Sequence, residues 1–105
     1  MDKNEVIEKV KRYSSIVRDH FPVKMVILFG SYCTGKARED SDIDVAVVMD
    51  KIADDCLETE AQLYKLRRSI DFRIEPVLIE ENEKDPAGFF QEILNTGEVL
   101  YQKQL

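Results

Sequence analysis

A chain of 105 residues is expected to form a single domain, residues 1–105, with one core and no room for a second substrate-binding lobe. Its 44% hydrophobic and 34% charged residues exclude a disordered or fibrous chain, and no apolar run reaches the length of a membrane span. A formal net charge of -6 argues against tight non-specific binding to a nucleic-acid backbone, and an N-terminus without a signal-like apolar segment predicts a cytoplasmic protein with no membrane partner.

Val6, Ile7, Val10, Tyr13, Ile16 and Val17 recur at the helical period, so residues 4–19 are predicted to form an amphipathic helix capped by Asp2 or Asn4. Phe21-Pro22 ends it. The apolar, β-branched run Val23–Phe29 reads as a buried strand stopped by Gly30-Ser31. Residues 31–41 are polar, with Gly35 as a turn and room for one helical turn at Ser31. Ile43–Met49 is a second buried strand, 50–55 a loop, and about Cys56–Ser69 a helix. Asp71–Ile79 reads as a third strand, placed at an edge or bulge by Pro76. A charged loop over 80–84 leads to a short helix, Pro86–Asn95, stopped at Thr96-Gly97, and Glu98–Tyr101 reads as a last strand. The order is that of an α/β domain around a small sheet.

Gly30-Ser31 closes one apolar strand, ten residues follow, and Asp42-Ile43-Asp44 opens the next. Ten residues are too few for a helical crossover between parallel strands, so a shared site requires these two to run antiparallel. Residues two apart on a strand share a face, which projects Asp42 and Asp44 together while Ile43 and Val45 face the core. Paired carboxylates repel, and burial worsens the repulsion. Mg²⁺ resolves it, because that ion is commonly shared between one or two carboxylates and a substrate's phosphates. Glycine permits close backbone approach, and Ser31 offers a hydroxyl and amides to phosphate oxygens. Lys36 and Arg38 are the nearest cations in sequence, while Asp40 and Ser41 read as residues that fix the loop. Tyr32 reads either as a cover for the loop or as a contact to a base. The lone His20 reads as a helix-end residue, and Cys33 and Cys56, 23 positions apart, as free thiols.

With "VILFGSYCTGKAREDSDIDVAVV" between two apolar strands and an acid in "RIEPVLI", the chain resembles the DNA polymerase β-like nucleotidyltransferases, in particular their minimal prokaryotic members. The resemblance implies the polymerase β-like fold, a small mixed sheet flanked by helices. It implies that Asp42, Asp44 and Glu75 bind metal and catalyse, with Glu75 as the base. Gly30 and Ser31 match the triphosphate-binding turn, with Lys36 and Arg38 as supporting cations. The cofactors implied are Mg²⁺, two ions, with ATP or another NTP as substrate. The third acid of the family is usually Asp, and Asp71 is the alternative to Glu75; a same-face salt bridge between Glu75 and Arg73 is the structural alternative to catalysis.

The activity implied is transfer of NMP, most simply AMP, to a hydroxyl. Minimal members pair with a helical HEPN-type toxin, which makes a toxin tyrosine the expected acceptor and the chain an antitoxin. The acceptor is expected from a partner or a second copy of the chain. The rival readings are a non-catalytic binding module that neutralises its partner by contact, and NMP transfer to a small molecule.

Overall fold

The structure is a computed structural model and describes residues 1–52 and 55–104. Helix α1 (Lys3–His20) is capped by Asp2, whose side chain accepts from the Glu5 amide at 2.9 Å. Strand β1 (Val23–Phe29) and strand β2 (Ile43–Met49) have the boundaries expected from the sequence, and the single-turn helix α2 (Ser31–Thr34) lies between them. Helix α3 (Cys56–Leu66) passes through a 3-10 turn, Arg67–Ser69, before strand β3 (Ile74–Glu80). Helix α4 (Phe89–Thr96) and strand β4 (Glu98–Gln102) complete the chain. Of the loop expected over 50–55, Ala53 and Asp54 lie outside the described residues.

The four strands form one mixed sheet in the order β3-β2-β1-β4. β1 is antiparallel to β2 and β4, as the short connection after Gly30 demands, and β3 runs parallel to β2 after the α3 crossover. β3 therefore occupies an edge of the sheet, the position in which Pro76 leaves no interior ladder bond unmade.

β1 and β2 are apolar almost without interruption because both faces of the sheet are covered. On one face Val26, Leu28, Val45 and Val47 meet Val6, Val10, Tyr13 and Val17 of α1 and Leu63 of α3. On the other, Met25, Ile27, Ala46 and Val48 meet Ile93 of α4. At the end of β1 on this face, Phe29 meets Phe89 of α4 edge to face, with ring centres 6.1 Å apart.

Two expectations are corrected. The third strand begins at Ile74 rather than Asp71, because the Asp71 carboxylate accepts from the Arg73 amide at 2.8 Å and holds residues 71–73 as a turn. The fourth helix begins at Phe89 rather than Pro86, since Gly88, with φ +71°, breaks the helical path after the Pro86-Ala87 turn.

Candidate active site

The strand register assembles the site. Phe29 at the end of β1 pairs with Asp44, and Asp44 pairs with Glu75 on its other side. Side chains of paired residues share a face, so Asp44 and Glu75 stand side by side on the face that α4 covers further along the sheet. Asp42 precedes β2 and is exposed, while Ile43 and Val45 are fully buried on the opposite face, as their alternation requires.

Burial pushes the Asp44 carboxyl above its usual range, and the like charges of Asp42 and Glu75 push it the same way. Beside it the chain leaves β1 through Gly30, with φ +78° and ψ −148°, a conformation open in practice only to glycine. A Cβ on Gly30 would overlap Asp44 Oδ2, so this glycine answers to the carboxylate as well as to the turn. Gly30 O then accepts from the amides of Cys33 and Thr34 at 2.9 and 3.2 Å, winding the turn that carries Ser31.

Glu75 is gripped from α3. The Tyr64 hydroxyl donates to Glu75 Oε2 at 3.0 Å, and Arg67 Nη1 lies 3.6 Å from Oε1. Arg67 is itself fixed, donating to the Ile74 carbonyl at 2.8 Å and stacking 4.8 Å from the Tyr64 ring centre. The salt-bridge partner of Glu75 is thus Arg67 and not Arg73. Neither Tyr64 nor Arg67 is marked by the sequence pattern, because each reaches around the β3 edge from a helix whose stripe accounts for them as ordinary helical positions.

Asp71, the alternative third acid, is engaged by two cations. Lys9 donates to it at 2.7 Å and Arg73 at 3.1 and 3.2 Å, holding its carboxyl far below the usual range; the Arg73 bonds contribute most. Arg73 also donates to Glu39 O at 3.0 Å, while its own carbonyl accepts from the Ile43 amide at 2.8 Å. Arg73 therefore holds the chain on both sides of Asp42, at Glu39 and at Ile43.

Lys36 and Arg38 sit exposed in that segment and reach none of the three carboxylates in an ion pair among the described residues. Ser41 closes the loop as expected, its Oγ accepting from the Arg38 amide at 2.7 Å. Tyr32 packs into the core with 6% of its surface exposed, so its side chain belongs to the buried face of the sheet. Cys33 and Cys56 are free thiols, and His20 bonds the Ile16 carbonyl at the end of α1.

Among the described residues no three His, Cys, Asp or Glu side chains stand close enough to cage a metal ion. Asp42 and Glu75 are nevertheless near enough to act on the Asp44 carboxyl by charge, while the Glu75 carboxylate is bonded to Tyr64 and paired with Arg67. A concavity of about 450 Å³ lined by His20, Phe21, Asp55 and Thr59 lies at the opposite end of the sheet, so the carboxylates occupy an open ledge rather than that hollow.

A family model described as Polymerase beta, Nucleotidyltransferase matches residues 8–105. A Methanocaldococcus jannaschii protein named as a candidate protein adenylyltransferase, MJ0141, is 32% identical over 89% of this chain and 96% of its own. A second from the same organism, MJ1379, is 40% identical over 48 residues, and the match spans about half of each chain, 46% of this one and 48% of the relative. Among solved structures, a Sulfolobus solfataricus protein described as a candidate nucleotidyltransferase superimposes with a TM-score of 0.70 at 19% identity, covering 96% of this chain and 84% of that one. A chain from a toxin–antitoxin structure with AMP-PNP gives 0.60 at 23% identity, over 99% and 76%. One from the toxin–antitoxin MntA-HepT gives 0.59 at 20% identity, over 92% and 73%.

Proposed function

The chain belongs to the polymerase β nucleotidyltransferase family, and from that premise we propose that it transfers AMP from ATP to a tyrosine hydroxyl of a HEPN-type toxin, acting as an antitoxin. The observation that carries the reading is the row of carboxylates Asp42, Asp44 and Glu75 beside the Gly30-Ser31 turn. A protein that only bound its partner would have no use for a carboxylate kept at the cost of burial and like-charge repulsion. The relatives named protein adenylyltransferases support the donor and the reaction type. The likeness to toxin–antitoxin chains, one with AMP-PNP, agrees with the proposed partner and substrate.

The donor set fits Mg²⁺. Hard carboxylate oxygens, one of them half-buried and repelled by its neighbours, are what such a cation relieves, and the ion ordinarily completes its shell with water and phosphate oxygens rather than a protein cage. Asp42 and Asp44 would hold it. When bound, it supplies positive charge to the triphosphate and to the charge that builds up on the departing pyrophosphate.

The chain's own residues supply the rest. The Gly30-Ser31 turn orients the phosphates through the Ser31 hydroxyl and the amides at the start of α2, with Lys36 and Arg38 adding charge from the loop. Glu75 takes the proton of the attacking hydroxyl. Arg67 keeps that carboxylate oriented. The hydroxyl oxygen bonds to the α-phosphorus as pyrophosphate leaves.

The test is intact-mass spectrometry of the co-purified toxin after incubation with ATP, Mg²⁺ and either wild type or Asp44→Asn. AMP-sized increments on a toxin tyrosine with wild type alone are the expected result. Equal neutralisation by both proteins without added mass would establish the contact-only antitoxin instead.

A further inference from the structure

Glu75 already has a hydroxyl in the position that a base requires of its substrate. Tyr64 donates to Oε2 at 3.0 Å, and Arg67, anchored on the Ile74 carbonyl, steadies the carboxylate through Oε1. Hydroxyl, base and orienting group in that order form the arrangement by which a weak nucleophile is activated. The other three tyrosines lack it. Tyr13 is fully buried and donates to the Leu63 carbonyl, Tyr32 is buried in the core, and Tyr101 lies on β4 beneath the Arg18 guanidinium. Tyr64, in contrast, is 39% exposed as a residue, and among the four tyrosines it is the one whose hydroxyl is bonded to a carboxylate of the candidate site.

Resting on the reading of Glu75 as the base of a nucleotidyl transfer, we infer that the chain modifies itself, with the Tyr64 hydroxyl as acceptor of AMP from ATP. The phenolic proton passes to Glu75, the Tyr64 oxygen forms a bond to the α-phosphorus, and the bond from that phosphorus to the bridging oxygen breaks. Pyrophosphate leaves with the electron pair. The product is a tyrosine phosphodiester, and no oxidant or further reactant is consumed.

Self-modification gives the site a built-in stop. A nucleotide attached to Tyr64 removes the donor to Glu75 and sets a bulky anion at the ledge where an external hydroxyl has to approach. A chain with its partner docked presents a competing hydroxyl, and one without it consumes its own.

The experiment uses the purified chain alone with ATP and Mg²⁺, in three forms: wild type, Tyr64→Phe and Asp44→Asn. Intact mass and fragmentation are read beside calorimetric ATP binding. Wild type is expected to gain one AMP-sized increment that fragmentation maps to Tyr64. Tyr64→Phe is expected to bind ATP within about threefold of wild type, a difference of about 0.65 kcal/mol, and gain nothing; Asp44→Asn also gains nothing. Mg²⁺-dependent ATP binding by wild type without added mass overturns self-modification and leaves the transferase reading standing. An increment that maps elsewhere, or persists in Tyr64→Phe, overturns it as well. Failure of wild type to bind ATP at all overturns both. Because the fragment map is made on wild type, the outcome stands even if a variant folds poorly.

Discussion

Gly30 leaves empty the space that the Asp44 carboxylate fills: a Cβ at residue 30 would overlap Asp44 Oδ2. The residue just after the first strand is thus chosen for its missing side chain, and the second residue of the next strand uses the room. Gly30→Ala is expected to destabilise the fold by about 1–3 kcal/mol, the cost of a side chain at φ +78°, with roughly 4–8 °C of melting temperature lost per kcal/mol. In an Asp44→Ala background the overlap disappears while the backbone cost remains. The double-mutant cycle should therefore show a coupling of at least about 0.5 kcal/mol. Additive losses would mean that the two residues do not compete for the same space.

Asp44 also gives the fold a pH dependence with a definite sign. Its carboxyl is raised by burial and by the charges of Asp42 and Glu75, so the folded state holds a proton that the unfolded state has released. Stability therefore falls as pH rises from the unfolded carboxylate value, about 3.9, through the higher folded value. Asp44→Asn removes that loss. The variant should melt above wild type at neutral pH without added metal, and the gap should close at about pH 3, where both carboxyls are neutral. Thermal scans across pH check this, and a gap unchanged at low pH would contradict an electrostatic origin.

The central strands were legible because their signals are local: Pro22 and Gly30 bracket one apolar run, and Asp42 and Asp50 the next. The row of Asp44 and Glu75 was half legible, since alternation gives the face of each strand but only the parallel register places them side by side. Asp71 lies before the third strand although Phe72 and Ile74 sit two apart as in a strand. Phe72 is in fact 66% exposed, and local hydrogen bonds win over the pattern. Tyr64 and Arg67 were illegible as site residues, because long side chains that cross a sheet edge leave no mark on helical periodicity.

Asp71 should behave as the opposite of Asp44. Its carboxyl is held low, first by the hydrogen bond from Arg73 and further by Lys9, so it adds stability at neutral pH that is lost as pH falls through its folded value. Asp71→Asn is expected to cost about 1.5–3 kcal/mol, the range for hydrogen bonds to a charged group. The loss should vanish in strong acid. Because Arg73 also holds the Glu39 carbonyl, the variant should loosen the loop toward Asp42, seen as faster amide hydrogen exchange over 36–41. A protein as stable as wild type at neutral pH would show that this network contributes nothing net.

Ligand binding tests the ledge as a whole. Asp42 and Asp44 alone offer a cation only two side chains, and the Ser31 turn alone offers a triphosphate no strong charge among the paired contacts of the structure. Each ligand should therefore bind weakly without the other, since the triphosphate completes the cation's shell and the cation neutralises the triphosphate against the acidic face. A ligand that binds only the folded state raises the melting temperature by mass action. Mg²⁺ and ATP together should raise it by more than the sum of the two separate shifts, and Asp44→Asn should abolish the excess. Ser31→Ala should preserve the synergy but weaken ATP binding roughly tenfold, about 1.5 kcal/mol, as expected for one hydrogen bond to a charged oxygen. Calorimetry in which ATP binds wild type equally well with EDTA present would remove the cation from the site and return the carboxylate pair to a structural role.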